Sequence, residues 1–186
     1  MSQSRAIRGP KAYSKVRTLG QGAFGTVFLV THRASGEQLV MKEIPLAGLS
    51  RSAALRQAEE VGFLRRLHHP HLVAYRASFV EETTLTMFIV MEFADGGDLN
   101  SLVEKQAACR PISRFAESLV LRWLVQACDA LAFCHHDLKL LHRDIKPANM
   151  LLTKALDLKI GMRSQPQHSQ ITWIQPQIMH PHNHVT

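Results

Sequence analysis

The residues best suited to chemistry lie in one short stretch, His142-Arg-Asp-Ile-Lys-Pro-Ala-Asn149. Asp144 offers a carboxylate that can orient a hydroxyl nucleophile, Lys146 a cation two residues later, and Asn149 an amide oxygen able to bind a metal ion. That set suits phosphoryl transfer, which depends mostly on positioning and charge stabilisation. Two upstream groups make a chance polar loop a poor explanation. Leu19-Gly-Gln-Gly-Ala-Phe-Gly-Thr-Val27 has the spacing Gly-x-Gly-x-x-Gly-x-Val, and glycines let a backbone approach phosphate oxygens closely. Similar spacing opens dinucleotide-binding units, but there a helix follows. Here the β-rich run Thr26 to Val30 follows, which predicts a hairpin lid over ATP. Lys42 closes the apolar run Leu39-Val-Met. On a buried strand its charge needs a partner, for which Glu60 is the natural candidate. Taken alone, without the other motifs, Lys42 reads better as a surface lysine in a hairpin.

The elements that must hold these groups follow from periodicity. Ala12 to Ile44 reads as strands and turns, with Gln38 to Ile44 a second β-rich run closed by Pro45. Ser50 to Leu67 is predicted helical, since Leu55, Ala58, Val61, Leu64 and Leu67 recur every third residue, and His68-His69-Pro70 ends it. Val73, Tyr75, Ala77 and Phe79 alternate as a strand, and Leu85 to Met91 is a further apolar run before the Asp95-Gly-Gly97 turn. A long amphipathic helix then presents Val120, Trp123, Leu124, Ala127, Leu131 and Cys134 on one face. Short strands are expected at Asn149 to Leu152 and through Leu156, Leu158 and Ile160.

Bulk properties narrow the class further. The 186 residues carry a net charge of +7, with 46% hydrophobic and 20% charged residues, an ordinary globular composition. Lys and Arg are scattered rather than interleaved with aromatics, so no nucleic-acid surface is expected. No run is long enough for a membrane span, and Met1 to Lys15 lacks the apolar block of a secretory signal. Cys109, Cys128 and Cys134 are odd in number and lack Cys-x-x-Cys spacing, which fits a reduced, cytoplasmic protein.

Taken in order, these motifs resemble a protein kinase, and in particular the NimA-related (never-in-mitosis) serine/threonine group. Val40-Met-Lys-Glu-Ile44, His69-Pro70, Met91-Glu-Phe-Ala-Asp-Gly-Gly-Asp-Leu99 and the Ile145-Lys-Pro form of the loop carry the likeness, which covers roughly Tyr13 to Gly161. The resemblance implies an α+β fold: a complete β-rich N-lobe with the family's αC helix, and an incomplete, mostly helical C-lobe. The expected divisions are a basic extension over 1–12, the N-lobe over 13–92, and the hinge and partial C-lobe over 93–161. It also implies ATP and Mg2+ as cofactors and a protein substrate. Gly20, Gly22 and Gly25 would cover the phosphates, Lys42 would hold them and pair with Glu60, and Leu19, Val27, Val40 and Leu151 would enclose the nucleotide. Met91 would be the gatekeeper, Glu92 to Ala94 the hinge, and Asp98 a contact to ribose. Asp144 would be the catalytic base, Lys146 would steady the transferring phosphate, and Asn149 would bind one magnesium ion. Subgroup resemblance alone suggests a cytoskeletal, centrosomal or ciliary association.

The pattern fails after Gly161. Where the family has Asp-Phe-Gly, this chain has Met162-Arg-Ser164, and residues 162–186 contain no Asp or Glu. The chain therefore reads as truncated before a principal magnesium ligand and before the segment that receives a peptide. Phosphotransfer is expected to be negligible. Residues 162–186 read as a disordered tail, and His180-Pro-His-Asn-His184 as adventitious metal ligands without support. The helix through Trp123 and Leu131 is expected to expose its apolar face, inviting a chaperone or partner. Three readings stay open: a kinase with part of its domain missing, a non-catalytic ATP-binding or interaction module, and an unproductive product.

Overall fold

The computed structural model describes residues 9–22, 25–50, 53, 61–109, 114–142 and 144–161. The expectations for Glu60, for most of the first helix, and for the tail with its histidines lie outside them.

Five antiparallel strands form the first sheet, in the order β1-β2-β3-β5-β4. They are β1 (Tyr13–Gly22), β2 (Gly25–His32), β3 (Gln38–Pro45), β4 (Tyr75–Glu81) and β5 (Thr86–Glu92). Their β-branched and aromatic residues pack well on a pleated surface, and alternation sorts them onto two faces. Leu39 and Met41 of β3 join Val30, Phe88 and Val90 in an outer cluster. Ile44, on the opposite face, joins Met87 and Ile89 in the main core. Of the predicted first helix, Val61, Leu64 and Leu67 are buried in that core.

The second half contributes α1 (Leu99–Ala108), α2 (Glu117–Ala132) and a small sheet of β6 (Gly97–Asp98), β7 (Met150–Leu152) and β8 (Leu158–Ile160). Asp98 caps α1, its carboxylate accepting from the Ser101 N–H at 2.8 Å. Helix α2 runs into a wider turn at Phe133–Asp137. The α+β expectation is met.

One expectation about α2 needs correction. Trp123 and Ala127 are 5% and 7% exposed, and Ala130 and Cys134 are fully buried with Leu72, Leu152 and Ile160. Val120 and Leu124, assigned to the same face, are 45% and 58% exposed and lie with Leu121 and Val125. The buried stripe advances by four, three and four residues, close to the 3.6-residue repeat. The face expected from the sequence, which included Val120 and Leu124, is wider than this stripe. The core is thus continuous from β3 and β5 to β8. A smaller correction concerns Leu156, which has φ 60° in the β7–β8 turn and is not part of the alternating strand.

Candidate nucleotide and catalytic site

The glycine-rich stretch forms the β1–β2 hairpin, with Gly20 opposite Val27 and Gly22 opposite Gly25. No helix follows it, which removes the dinucleotide-unit alternative. Leu19 falls where the β1–β2 register shifts, between Thr18 and Gly20. Nothing stands within 4 Å of where a Cβ would project at Gly20 or Gly22. Gly25 differs: its φ is +124°, and a Cβ there would collide with the Glu43 carbonyl. That glycine is required by packing against β3 as well as by any ligand.

The ladder gathers the other expected N-lobe residues on the inner face. Lys42 lies between Val27 and Ile89, and Val40 between Leu29 and Met91. Directly paired residues share a face, so Val27, Val40, Lys42 and Met91 look toward the second half of the chain. Glu92 ends β5, and Ala94, buried, follows it. Across from them Leu151 pairs with Asp98 on one side and Lys159 on the other. Both oxygens of Asp98 are engaged by Ser101, through its N–H and its hydroxyl, each at 2.8 Å.

The loop at 142–149 is tightly organised. Asn149 is 2% exposed, and its Nδ2 donates to both the carbonyl oxygen and Oδ2 of Asp144, at 2.7 Å each. Since both partners can only accept, the amide orientation is fixed. Its Oδ1 is buried and meets no hydrogen-bond donor among the described residues. Lys146 Nζ lies 2.8 Å from Asp144 Oδ1. The Lys146 hydrogen bond, with Asn149 and the Lys146 charge behind it, holds the Asp144 carboxyl below its ordinary value, so it is ionised at neutral pH.

His142 seats the loop. Its Nε2 lies 3.1 Å from the Gly161 carbonyl, which can only accept, and its Nδ1 accepts from the Asp144 N–H at 3.3 Å. The two contacts select the neutral Nε2–H tautomer. Burial, the largest influence, accordingly lowers the His142 pKa. Gly161 N–H in turn donates to the Asn149 carbonyl at 2.9 Å.

Motif spacing did not mark Gln126, Trp123 or Lys159. Gln126 and Trp123 bond the β7–β8 turn. Lys159 lies between the buried Leu158 and Ile160, and the argument applied to Lys42 would have flagged it too. Among the described residues no group of three His, Cys, Asp or Glu could hold a metal by itself, and no helix is long and apolar enough to cross a membrane.

The glycine-rich β1–β2 hairpin, Lys42 on β3 and the tethered Asp144-Lys146-Asn149 loop together define the protein kinase class. A sequence model described as the protein kinase domain matches residues 13–161, and the chain belongs to this family. Its similar relatives are serine/threonine-protein kinases of the Nek group. Nek1 of Mus musculus is 37% identical over 80% of this chain and 12% of its own length. Nek2 of Mus musculus is 33% identical over 80% and 34%, and Nek5 of Homo sapiens 38% identical over 76% and 19%. The chain thus spans about a third or less of these relatives. ATP and Mg2+ are the cofactors general to the family.

Proposed function

We propose that this chain is the nucleotide-binding part of a protein serine/threonine kinase, holding ATP in the cleft but transferring phosphoryl groups at a negligible rate. The observation carrying the reading is the buried Asn149 Oδ1, which no donor among the described residues reaches while its Nδ2 clasps Asp144. A hard cation takes such an oxygen readily, and Mg2+ commonly combines one or two protein oxygens with substrate phosphates. The residues present fit the group. When bound, Mg-ATP supplies the phosphoryl group and the positive charge that shields it.

In this reading 13–92 and 93–161 are the two halves of the cleft. Gly20, Gly22 and Gly25 lie over the phosphates, Lys42 binds them, and Glu60 orients Lys42. Leu19, Val27, Val40 and Leu151 sandwich adenine beside Met91, with backbone contacts from Glu92 to Ala94 and ribose near Asp98. Asp144, ionised, orients a substrate hydroxyl rather than acting as a strong base. Lys146 neutralises the transferring phosphate.

Transfer fails for a chemical reason. Met162-Arg-Ser164 follows Gly161 where the family has Asp-Phe-Gly, so the carboxylate expected there on the metal, beside the neutral Asn149 amide oxygen, is missing. Metal charge stabilisation contributes several kcal/mol, and each ~1.4 kcal/mol is tenfold in rate.

The test is titration with ATP and Mg2+ followed by a radiometric transfer assay. Binding that weakens at least about tenfold in Lys42→Ala, with transfer no greater than in Asp144→Ala, is expected. Absence of binding, or transfer clearly above that control, overturns the reading. A purely partner-binding role is favoured by the exposed Val120, Leu121, Leu124 and Val125. It would show partner capture that does not depend on nucleotide.

A further inference from the structure

Residues 70–74, the loop entering β4, are stitched to both halves of the chain. On one side Leu72 forms a parallel bridge with Ile160, the Ile160 N–H donates to the His71 carbonyl at 2.8 Å, and Val73 N–H donates to the Ile160 carbonyl at 3.1 Å. On the other side Glu92 N–H donates to the Ala74 carbonyl at 2.8 Å. One side-chain pair closes the junction. Glu92 Oε1 lies 2.9 Å from Lys159 Nζ, and Glu92 Oε2 accepts from the Ala74 N–H at 3.1 Å. Lys159 Nζ also donates to the Pro70 carbonyl at 2.8 Å. The two side chains are 22% and 14% exposed.

We propose that Glu92 and Lys159 form a clasp that fixes the end of β5 against the floor of the cleft, and through it the site for the adenine ring. Both carboxylate oxygens and the ammonium have partners, so the pair is well compensated. Removing either member leaves a largely buried charge with only its backbone partner, the Pro70 carbonyl for Lys159 or the Ala74 N–H for Glu92. By contrast, the nearby Lys154–Asp95 pair is 3.4 Å apart and 82% and 36% exposed, and surface pairs of that kind contribute little.

The link to the ligand is geometric. Lys159 and Leu151 are direct partners across β7 and β8, and so share a face of that hairpin. Holding Lys159 to Glu92 therefore holds Leu151 at a set distance from the backbone of Glu92 to Ala94. A flat base must fit between them, and misplacement by about an ångström is costly in a preorganised site. Glu92 thus acts through its side chain at the back of the cleft. This inference rests on the ATP reading of the cleft.

The test compares adenosine with ATP by titration calorimetry in Lys159→Met and Glu92→Gln. The second keeps an acceptor for Ala74 and protects the test if the first fails to fold. Each is expected to weaken adenosine and ATP about tenfold and in equal proportion, because a site ordered a tenth of the time binds tenfold more weakly. Lys42→Ala weakens ATP alone. Lys159→Arg recovers most of the affinity, the double variant is no worse than Lys159→Met, and Lys154→Met has no effect. Folded variants with lowered thermal midpoints but adenosine affinity within twofold of wild type would sink the proposal, since the pair would then be only structural. If wild type binds neither ligand, the ATP reading falls and amide exchange decides the clasp. Exchange at Ala74 and Glu92 tenfold faster in Lys159→Met, with β2 and β3 unchanged, supports it; unchanged rates overturn it.

Discussion

Gln126, on α2, grips Leu158 at the start of β8: its Oε1 accepts the Leu158 N–H at 2.8 Å, and its Nε2 donates to Asp157 Oδ1 at 2.9 Å. Trp123 Nε1 donates to the Leu156 carbonyl at 2.8 Å one turn earlier, and Arg122 to the Ala155 carbonyl at 2.8 Å. A buried glutamine looks out of place on an amphipathic helix until this turn is seen. Replacing Gln126 with Leu leaves the Leu158 N–H unsatisfied in the core, which costs about 1–3 kcal/mol. The expected result in urea unfolding is a lower midpoint. Amide exchange should quicken at Leu158 more than in β2 and β3.

Gly25→Ala should be more damaging than Gly20→Ala. The first needs φ near +124° and drives a Cβ into the Glu43 carbonyl, whereas the second projects into open space. Strain of the first kind costs about 1–3 kcal/mol before any clash is added. Thermal unfolding should show a clear loss for Gly25→Ala and little for Gly20→Ala, while nucleotide titration should weaken in both if the hairpin covers phosphates.

Stability should fall on mild acidification, and His142 gives the sign. Its folded pKa is lowered, chiefly by burial, so the unfolded chain takes up the proton first. Its contribution is full above the unfolded value near ~6.5 and declines as pH falls through the folded value. Protonation of Nδ1 also removes the acceptor for the Asp144 N–H. The depressed Asp144 adds a second loss, confined to the more acidic range below ordinary carboxylate values. Ring NMR across pH should find His142 as the Nε2–H tautomer at neutrality, titrating below the ordinary histidine value; an Nδ1–H form would contradict the geometry.

The outward face of α2 should govern solubility. Leu124 and Val125 are 58% and 66% exposed beside Val120 and Leu121, and contiguous apolar surface promotes association. Leu124→Glu is expected to reduce concentration-dependent light scattering with an unfolding free energy within about 0.5 kcal/mol of wild type. Trp123→Glu, on the buried side of the same helix, should unfold the chain.

The three cysteines should divide in reactivity. Burial pushes the Cys134 thiol up to about 11, and the thiolate is the reactive form. Cys109 and Cys128 are exposed. Iodoacetamide at neutral pH should label those two in the folded protein and reach Cys134 only on unfolding.

The chain's chemistry was legible in its sequence because it is encoded locally. Fixed spacing around Asp144, Lys146 and Asn149 makes a loop whose members touch each other, and glycines before a β-rich run can only make a strand turn. The two faces of β3 were not legible in the apolar run Leu39-Val-Met; the ladder put Leu39 and Met41 on one face and Val40 and Lys42 on the other. The orientation of α2 was less legible, because apolar residues surround that helix and a face that includes Val120 and Leu124 with Trp123 is wider than the buried stripe. Packing of Trp123 and Ala127 against β8 decides which side is core.

What the sequence by itself determined is the inventory: a phosphate-suited glycine hairpin, Lys42, the Asp144 loop, and the absence of any carboxylate after Asp157. Only the tertiary structure decided which polar groups face each other across the cleft. Glu92 and Lys159 are 67 positions apart by their numbers, and no local rule of spacing pairs them. They meet because residues 70–74 are threaded between β5 and β8, where two largely buried charges are held by that segment's backbone and neutralise each other.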